Sequence, residues 1–148
     1  MHVTVLNSEL FEMKMFSLDV EYKRLFLKWL DNDLACSTAK WRIVTIHRPF
    51  YCSNTWVCSD DSLEKFRLFF EDTFFRRKID LIISAHENLY ERLYPINNKT
   101  VDMESVINNS SLYLNPKFPT HIICGTSNSE SGIQSKFCNI QIYNRRSN

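Results

Sequence analysis

Two histidines stand where a sheet would deliver them to a ligand. His86 lies in Ser84-Ala85-His86-Glu87-Asn88-Leu89-Tyr90-Glu91-Arg92, directly after Asp80-Leu81-Ile82-Ile83, and His47 closes Trp41-Arg42-Ile43-Val44-Thr45-Ile46-His47. Short apolar runs of this kind read as buried strands. Open α/β sheets bind ligands beyond the carboxyl ends of their strands, and neutral imidazole is the commonest metal ligand. The two histidines therefore suggest a metal site. They make only part of one, because protein metal sites take three or four protein ligands.

The neighbouring polar residues have plainer readings. Glu87 is a candidate general base but is expected on the solvated surface. Tyr90, Glu91 and Arg92 are expected to fix the loop through an arginine–carboxylate pair. His121, in Thr120-His121-Ile122-Ile123-Cys124, reads as structural, with a supporting role beside a metal as its alternative. His2 starts a strand and has no further support. Trp29, Trp41 and Trp56 are expected as core or loop anchors.

The elements that must position these residues follow from periodicity. Residues 2–7 alternate as a short strand, 41–46 and 80–85 are buried strands, 90–96 is a shorter one, and 120–124 and 137–143 are the last two. Residues 17–35 show amphipathic helical spacing, with Leu18, Tyr22, Leu25, Phe26, Trp29 and Leu30 on one face and Ser17 as cap. A second helix spans 61–77. Leu63, Phe66, Phe70 and Phe74 share its core face, Asp61 and Glu64 resemble a capping box, and Arg76, Arg77 and Lys78 sit where the dipole favours cations. Residues 48–60 read as a loop and 97–111 as a polar surface excursion. The order β-α-β-α-β, then mostly β, predicts a layered α/β sandwich with no internal repeat or domain boundary.

Composition removes several classes of function. The 148 residues suffice for one domain with a core. A net charge of +1 supplies no field for nucleic acid or an acidic membrane surface. No apolar run is long enough to span a bilayer, and the amino terminus lacks the pattern of a signal peptide. Neither a nucleic-acid nor a membrane partner is expected. The two glycines, Gly125 and Gly132, cannot build a glycine-rich phosphate cradle. The five cysteines (Cys36, Cys52, Cys58, Cys124 and Cys138) contain no CxxC pair, which argues against a structural zinc site. Cys52 and Cys58 either close a small disulfide loop or stay as thiols. Asn98-Lys99-Thr100, Asn108-Asn109-Ser110 and Asn109-Ser110-Ser111 are glycosylation sequons.

Four stretches in order resemble the carboxyl-terminal half of purple acid phosphatases of the animal type, which are calcineurin-like metallophosphoesterases. They are Trp29-Leu30-Asp31-Asn32-Asp33-Leu34, His47-Arg48-Pro49-Phe50-Tyr51-Cys52-Ser53-Asn54, Ala85-His86-Glu87-Asn88-Leu89-Tyr90-Glu91-Arg92-Leu93-Tyr94-Pro95 and Tyr113-Leu114-Asn115-Pro116-Lys117-Phe118-Pro119-Thr120-His121-Ile122. The resemblance implies a partial αββα sandwich, a four-layer α/β fold with one half missing, and residues 1–148 as a single incomplete domain of it. It implies acid phosphatase activity on phosphate monoesters at a dinuclear metal centre, Fe3+ with Fe2+, Zn2+ or Mn2+. His47 and His86 match two ligands of the divalent ion. Asn88 falls where the family has a histidine ligand of the ferric ion, and it offers an amide oxygen instead.

The family's remaining ligands, and the histidine that assists its leaving group, belong to motifs upstream of Met1. No catalytic residue is assigned, and the chain alone is expected to have little or no activity. Gly125-Thr126-Ser127-Asn128-Ser129-Glu130 stands where animal members carry a Gly-Ser-Ala-Gly-Cys-like turn, with Ser129 replacing the cysteine. Family resemblance implies a secreted or lysosomal glycoprotein, a setting in which Cys52 and Cys58 would pair. Two other readings compete. The chain is a non-catalytic remnant or interaction protein that pairs with another chain, either a missing amino-terminal half or a second copy, because half a sandwich leaves a sheet face uncovered. Or it is one part of a longer, complete enzyme.

Overall fold

A computed structural model describes residues 1–9, 19–53, 61–108, 112–125 and 144–145. The chain runs β1 (His2–Leu6), α1 (Val20–Ala35), β2 (Arg42–Ile46), α2 (Asp61–Arg76), β3 (Leu81–Ser84) and β4 (Tyr90–Leu93). It continues with β5 (Ile96–Asn97), β6 (Thr100–Val101), a 3-10 turn (Met103–Ser105), β7 (Val106–Ile107), β8 (Leu112–Tyr113), β9 (Thr120–Cys124) and β10 (Asn144–Arg145). The main sheet has the order β1-β2-β3-β9-β4-β10. β1, β2, β3 and β9 are parallel, and β4 and β10 close that edge antiparallel.

Strand alternation sorts the sheet into two unlike faces. Thr4, Val44, Ile82 and His121 lie in register across the four parallel strands, and all are buried. Leu6, Ile46 and Ile123 extend that buried face. The helices cover it, as right-handed crossovers from β1 to β2 to β3 require. Leu30 and Leu34 of α1 and Phe66, Phe70 and Phe74 of α2 join the same core cluster. Phe50, just past β2, stacks on Phe70 and Phe74 at 5.9 and 5.6 Å and meets Phe66 edge-on at 5.3 Å. Burying each such ring contributes about 1.5–3 kcal/mol. The opposite face carries Val3, Ile43, Leu81 and Thr120 in one row and Val5, Thr45, Ile83 and Ile122 in the next. Val3 is 45% and Val5 73% exposed. No helix among the described residues packs there.

A buried ionic cluster ties the loop after β2 to α2. Tyr51 donates its hydroxyl to Glu71, which also pairs with Arg67, whose side chain is 2% exposed. Glu71 Oε1 accepts the backbone N–H of Asn98 at 2.8 Å, and Tyr51 Oη that of Lys99 at 3.2 Å, which brings in the β5–β6 turn. Arg76 and Arg77 both grip Asp31 of α1, at 3.0 and 2.7 Å. Arg77 foremost, with Arg76, holds the Asp31 carboxyl down to about 2.

Several expectations are corrected. α1 begins at Val20, and Asp19 caps it by accepting the Glu21 N–H. Ser17 lies outside the described residues. The buried stripe of α1 is narrower than its hydrophobic spacing, because Phe26, Leu30 and Leu34 face the core while Tyr22, Leu25 and Trp29 stay 41–51% exposed. Trp41 is also exposed, so neither of the described tryptophans is a core anchor. Glu64 binds Arg67 at 2.7 Å and Lys99 at 3.0 Å, and the Asp61 side chain of the expected capping box lies outside the described residues. The 97–111 excursion carries short paired strands, β5 with β6 and β7 with β8. The strand expected at 137–143 lies outside the described residues.

Candidate metal centre

Four parallel strands in register end on one edge, and the residues following them gather there. Ala85 N–H donates to the His47 carbonyl at 2.9 Å, continuing the pairing of β2 and β3 past their ends. His47 Nε2 and His86 Nδ1 lie 3.2 Å apart, with ring planes at 78°. Arg48 Nη1 approaches the other nitrogen of His86, Nε2, at 3.2 Å. Glu9, after β1, grips the same guanidinium through Nε at 2.9 Å and Nη2 at 3.2 Å. The Arg48 N–H donates to the buried Ser8 hydroxyl at 3.1 Å. The edge thus holds a chain of contacts from Glu9 through Arg48 and His86 to His47.

The loop that presents His86 is tight. The Glu87 N–H bonds to the Ala85 carbonyl at 2.7 Å, closing a three-residue turn with His86 at its centre, φ 62°. Positive φ is uncommon outside glycine, although histidine tolerates it better than most residues. Non-glycine residues held there cluster at functional sites. Leu89 N–H repeats the pattern onto the Glu87 carbonyl at 2.8 Å, and Gly125 N–H reaches the Leu89 carbonyl at 3.2 Å. A Cβ on Gly125 would fall well inside contact distance of the Glu87 carbonyl oxygen. Only glycine lets β9 end this close to the loop.

Burial foremost, with the Arg48 charge, pushes the His86 imidazole below its ordinary pKa, and His47 acts in the same direction. His86 is therefore neutral at pH 7, the form that ligates metals. The Arg48 hydrogen bonds hold the Glu9 carboxyl below the usual carboxylate range.

The structure brings His47 and His86 together and places Asn88 half-buried in the same loop, two residues on. Glu87 is not solvated: it is 5% exposed, and its Oε1 lies 3.9 Å from His86 Nε2. Glu91 is buried and accepts the Ser53 N–H at 3.1 Å, while Arg92 lies over the Tyr113 ring at 4.8 Å. Glu91 and Arg92 occupy successive, opposite-facing positions of β4. His121 faces the helix side, buried against Phe50 and Tyr51. Glu9 and Arg48 were not singled out in the sequence. Their signal was a charged residue just beyond each of two strands.

No family model matches the chain. The chain is 39% identical to acid phosphatase type 7 of Mus musculus over 116 residues, 70% of this chain and 26% of that protein. It is 40% identical to an acid phosphatase of Aspergillus ficuum over 102 residues, 66% of this chain and 16% of that protein. A purple acid phosphatase from yellow lupin (Lupinus luteus) seeds superimposes on 96% of this chain and 24% of its own, with a TM-score of 0.68 at 18% identity. The chain belongs to the purple acid phosphatase family. It spans about a quarter of the mouse protein and less of the Aspergillus one. The lupin superposition establishes the fold, with the sheet and its two helices as one part of the metallophosphoesterase architecture.

A purple acid phosphatase implies a dinuclear metal centre, and the edge described above fits part of one. Two nitrogens bound at about 2.0–2.1 Å to one tetrahedral ion lie about 3.3 Å apart. His47 Nε2 and His86 Nδ1, at 3.2 Å, match that spacing. Among the described residues no group of three or more His, Cys, Asp and Glu gathers for a metal. The two imidazoles suit one ion as two of its ligands.

Proposed function

We propose that this chain is a segment of a purple acid phosphatase catalytic domain that hydrolyses phosphate monoesters, supplying His47 and His86 to the divalent ion and Asn88 beside the ferric position. The observation that carries this reading is the 3.2 Å approach of two imidazole nitrogens from adjacent strand ends, within a chain 39% identical to an acid phosphatase. A divalent ion at this edge would act as a Lewis acid toward a phosphoryl oxygen. The chain's own residues hold the ligands: Gly125 admits the tight loop, and Arg48 with Glu9 fixes the orientation of the His86 ring. Residues 1–148 form one incomplete domain, and its natural location is secreted or lysosomal, as the family reading implies. Asn98 of the first sequon is exposed on the β5–β6 turn, where a glycan would fit.

The test is a graft. Residues 1–125 replace the matching segment of mouse acid phosphatase type 7, and a chromogenic phosphate ester is assayed with iron, zinc and manganese. Turnover is expected from the graft and not from the 148-residue chain alone. His86→Ala in the graft is expected to lower turnover by more than about 100-fold, beyond what loss of a ligand's supporting partner costs. A His86→Ala graft as active as its parent would overturn the reading.

A second reading has its own observation, the open apolar face bearing Val3 and Val5. A binding protein would use that face for another chain or a second copy. Size-exclusion chromatography separates the two readings: a monomer at all concentrations removes the second-copy form of this one. No described helix is long and apolar enough to cross a membrane.

A further inference from the structure

A cavity of about 670 Å3 opens at the other end of the strands from His47 and His86. It lies where β3 and β9 begin, lined by the residues that lead into both strands and by the end of α2. The Thr120 N–H donates to the Asp80 carbonyl at 3.0 Å and ties the two strand starts together. Pockets for small molecules fall in this range of size, about 300–1,000 Å3. Phe75, Ile79, Pro116 and Phe118 give the cavity apolar walls. The Phe75 and Phe118 rings lie 5.9 Å apart at 59°, and Phe75 is 44% exposed. Aromatic rings pair edge to face or offset at about this distance, so a third ring in the cavity would meet Phe75 in the same way.

Three cations and one carboxylate line the cavity, a balance that favours an anion. Most of these charges are engaged. Arg76 binds Asp31 and Asp72, Lys117 pairs with Glu104, and the Asp80 carboxylate accepts the Arg42 N–H at 2.7 Å. Lys78 differs: its ammonium has no ion-pair partner among the described residues. Its backbone is unusual as well. The Ile79 N–H bonds to the Phe74 carbonyl at 3.0 Å and the Lys78 N–H to the Phe75 carbonyl at 3.1 Å, a helix ending that sets Lys78 at φ 53°. Glycine usually fills this place, because a Cβ is disfavoured there. Other residues held in such conformations cluster at functional sites. A helix ending of this kind does not call for a lysine; an anion at the cavity mouth does.

We propose that this cavity binds a small aryl carboxylate, with its ring against Phe75 and Phe118 and its carboxylate at the Lys78 ammonium. A single cation without an ion-pair partner matches a monoanion, and the flexible lysine stem lets the ammonium follow it. The site lies the length of β3 away from His86 and stands independently of the reading of the histidines as ligands.

Naphthalene-2-carboxylate titrated into the 148-residue chain, followed by amide 15N–1H spectra, is the test. Saturable shifts are expected at Lys78, Ile79, Lys117 and Phe118, with a dissociation constant at or below about 1 mM, the level of ordinary ligand efficiency for a molecule of this size. Lys78→Gly supplies the residue that the helix ending favours, so the variant is expected to melt no lower than the parent and to bind about tenfold more weakly, the usual worth of one charged hydrogen bond. Lys78→Arg should retain binding. Naphthalene-2-carboxamide, uncharged and nearly the same shape, should also bind about tenfold more weakly than the acid. No saturable shift in the parent, equal binding of the amide, or unchanged binding in Lys78→Gly overturns the proposal. Shifts confined to Val3 and Val5, and removed by Val5→Lys, would place the aryl group on the open sheet face and overturn it equally.

Discussion

At the scale of single residues, Gly125 and His121 have the clearest consequences. Gly125→Ala would force its new methyl into the Glu87 carbonyl, which is backbone and cannot yield without moving the His86 loop. Such overpacking is expected to cost about 3 kcal/mol, read as a lower urea midpoint. His121 is buried and its pKa is pushed down to about 3, chiefly by burial and against a hydrogen bond to the Ile96 backbone. The unfolded chain binds that proton near the ordinary value of about 6.5, so protonation favours unfolding. Stability is expected to be full above pH 6.5 and to fall towards pH 3, by at most about 1.4 kcal/mol per pH unit from this group. Thermal melts across that window check it, and His121→Gln should flatten the dependence. Strand-end histidines were legible in the sequence because an apolar run announces the strand and its end. The burial of Glu87 was not, because alternation stops where the backbone enters a turn. Nor was the Glu9–Arg48 pair, whose members lie 39 positions apart.

At the scale of elements, α2 is held twice, by its phenylalanine stripe and by the Arg67–Glu71–Tyr51 cluster. Phe66, Phe70 and Phe74 recur at spacing four, so that face was readable from sequence, and all three are buried. The ionic face was not readable. Arg67 and Glu71 look like an ordinary surface pair at i, i+4 until the Tyr51 loop and the β5–β6 turn close over them. Burial and the Glu71 bond push the Tyr51 hydroxyl well above its usual pKa, so it remains a donor throughout the ordinary pH range. Glu71→Ala would leave Arg67 buried without that partner, and breaking a buried pair in this way costs about 3–5 kcal/mol. Chemical denaturation is the check, and a loss under 1 kcal/mol would show that the cluster is effectively solvated. For α1 the sequence overstated the apolar face. Trp29 is apolar but half-exposed beside Phe26, and hydrophobic spacing alone cannot tell a half-covered face from a buried one.

At the scale of the whole molecule, the parallel core and its two crossover helices followed from the β-α-β-α-β order, and the metallophosphoesterase architecture is that of the lupin enzyme. The two unlike sheet faces organise the rest. One is sealed by phenylalanines, and the other leaves Val5 73% exposed beside Thr45. Exposed apolar faces of this kind associate, so concentration-dependent self-association is expected in sedimentation velocity. Val5→Lys should reduce it while changing stability by no more than about 0.5 kcal/mol, as for other exposed positions. Function at this scale depends on how many ions the polypeptide can hold. Equilibrium dialysis against Zn2+, with metal and protein both counted by mass spectrometry, measures that number directly for the parent, His47→Ala and His86→Ala. The account predicts at most one weakly held ion per chain, lost on replacing either histidine; two tightly held ions per chain, or one that survives both replacements, would contradict it.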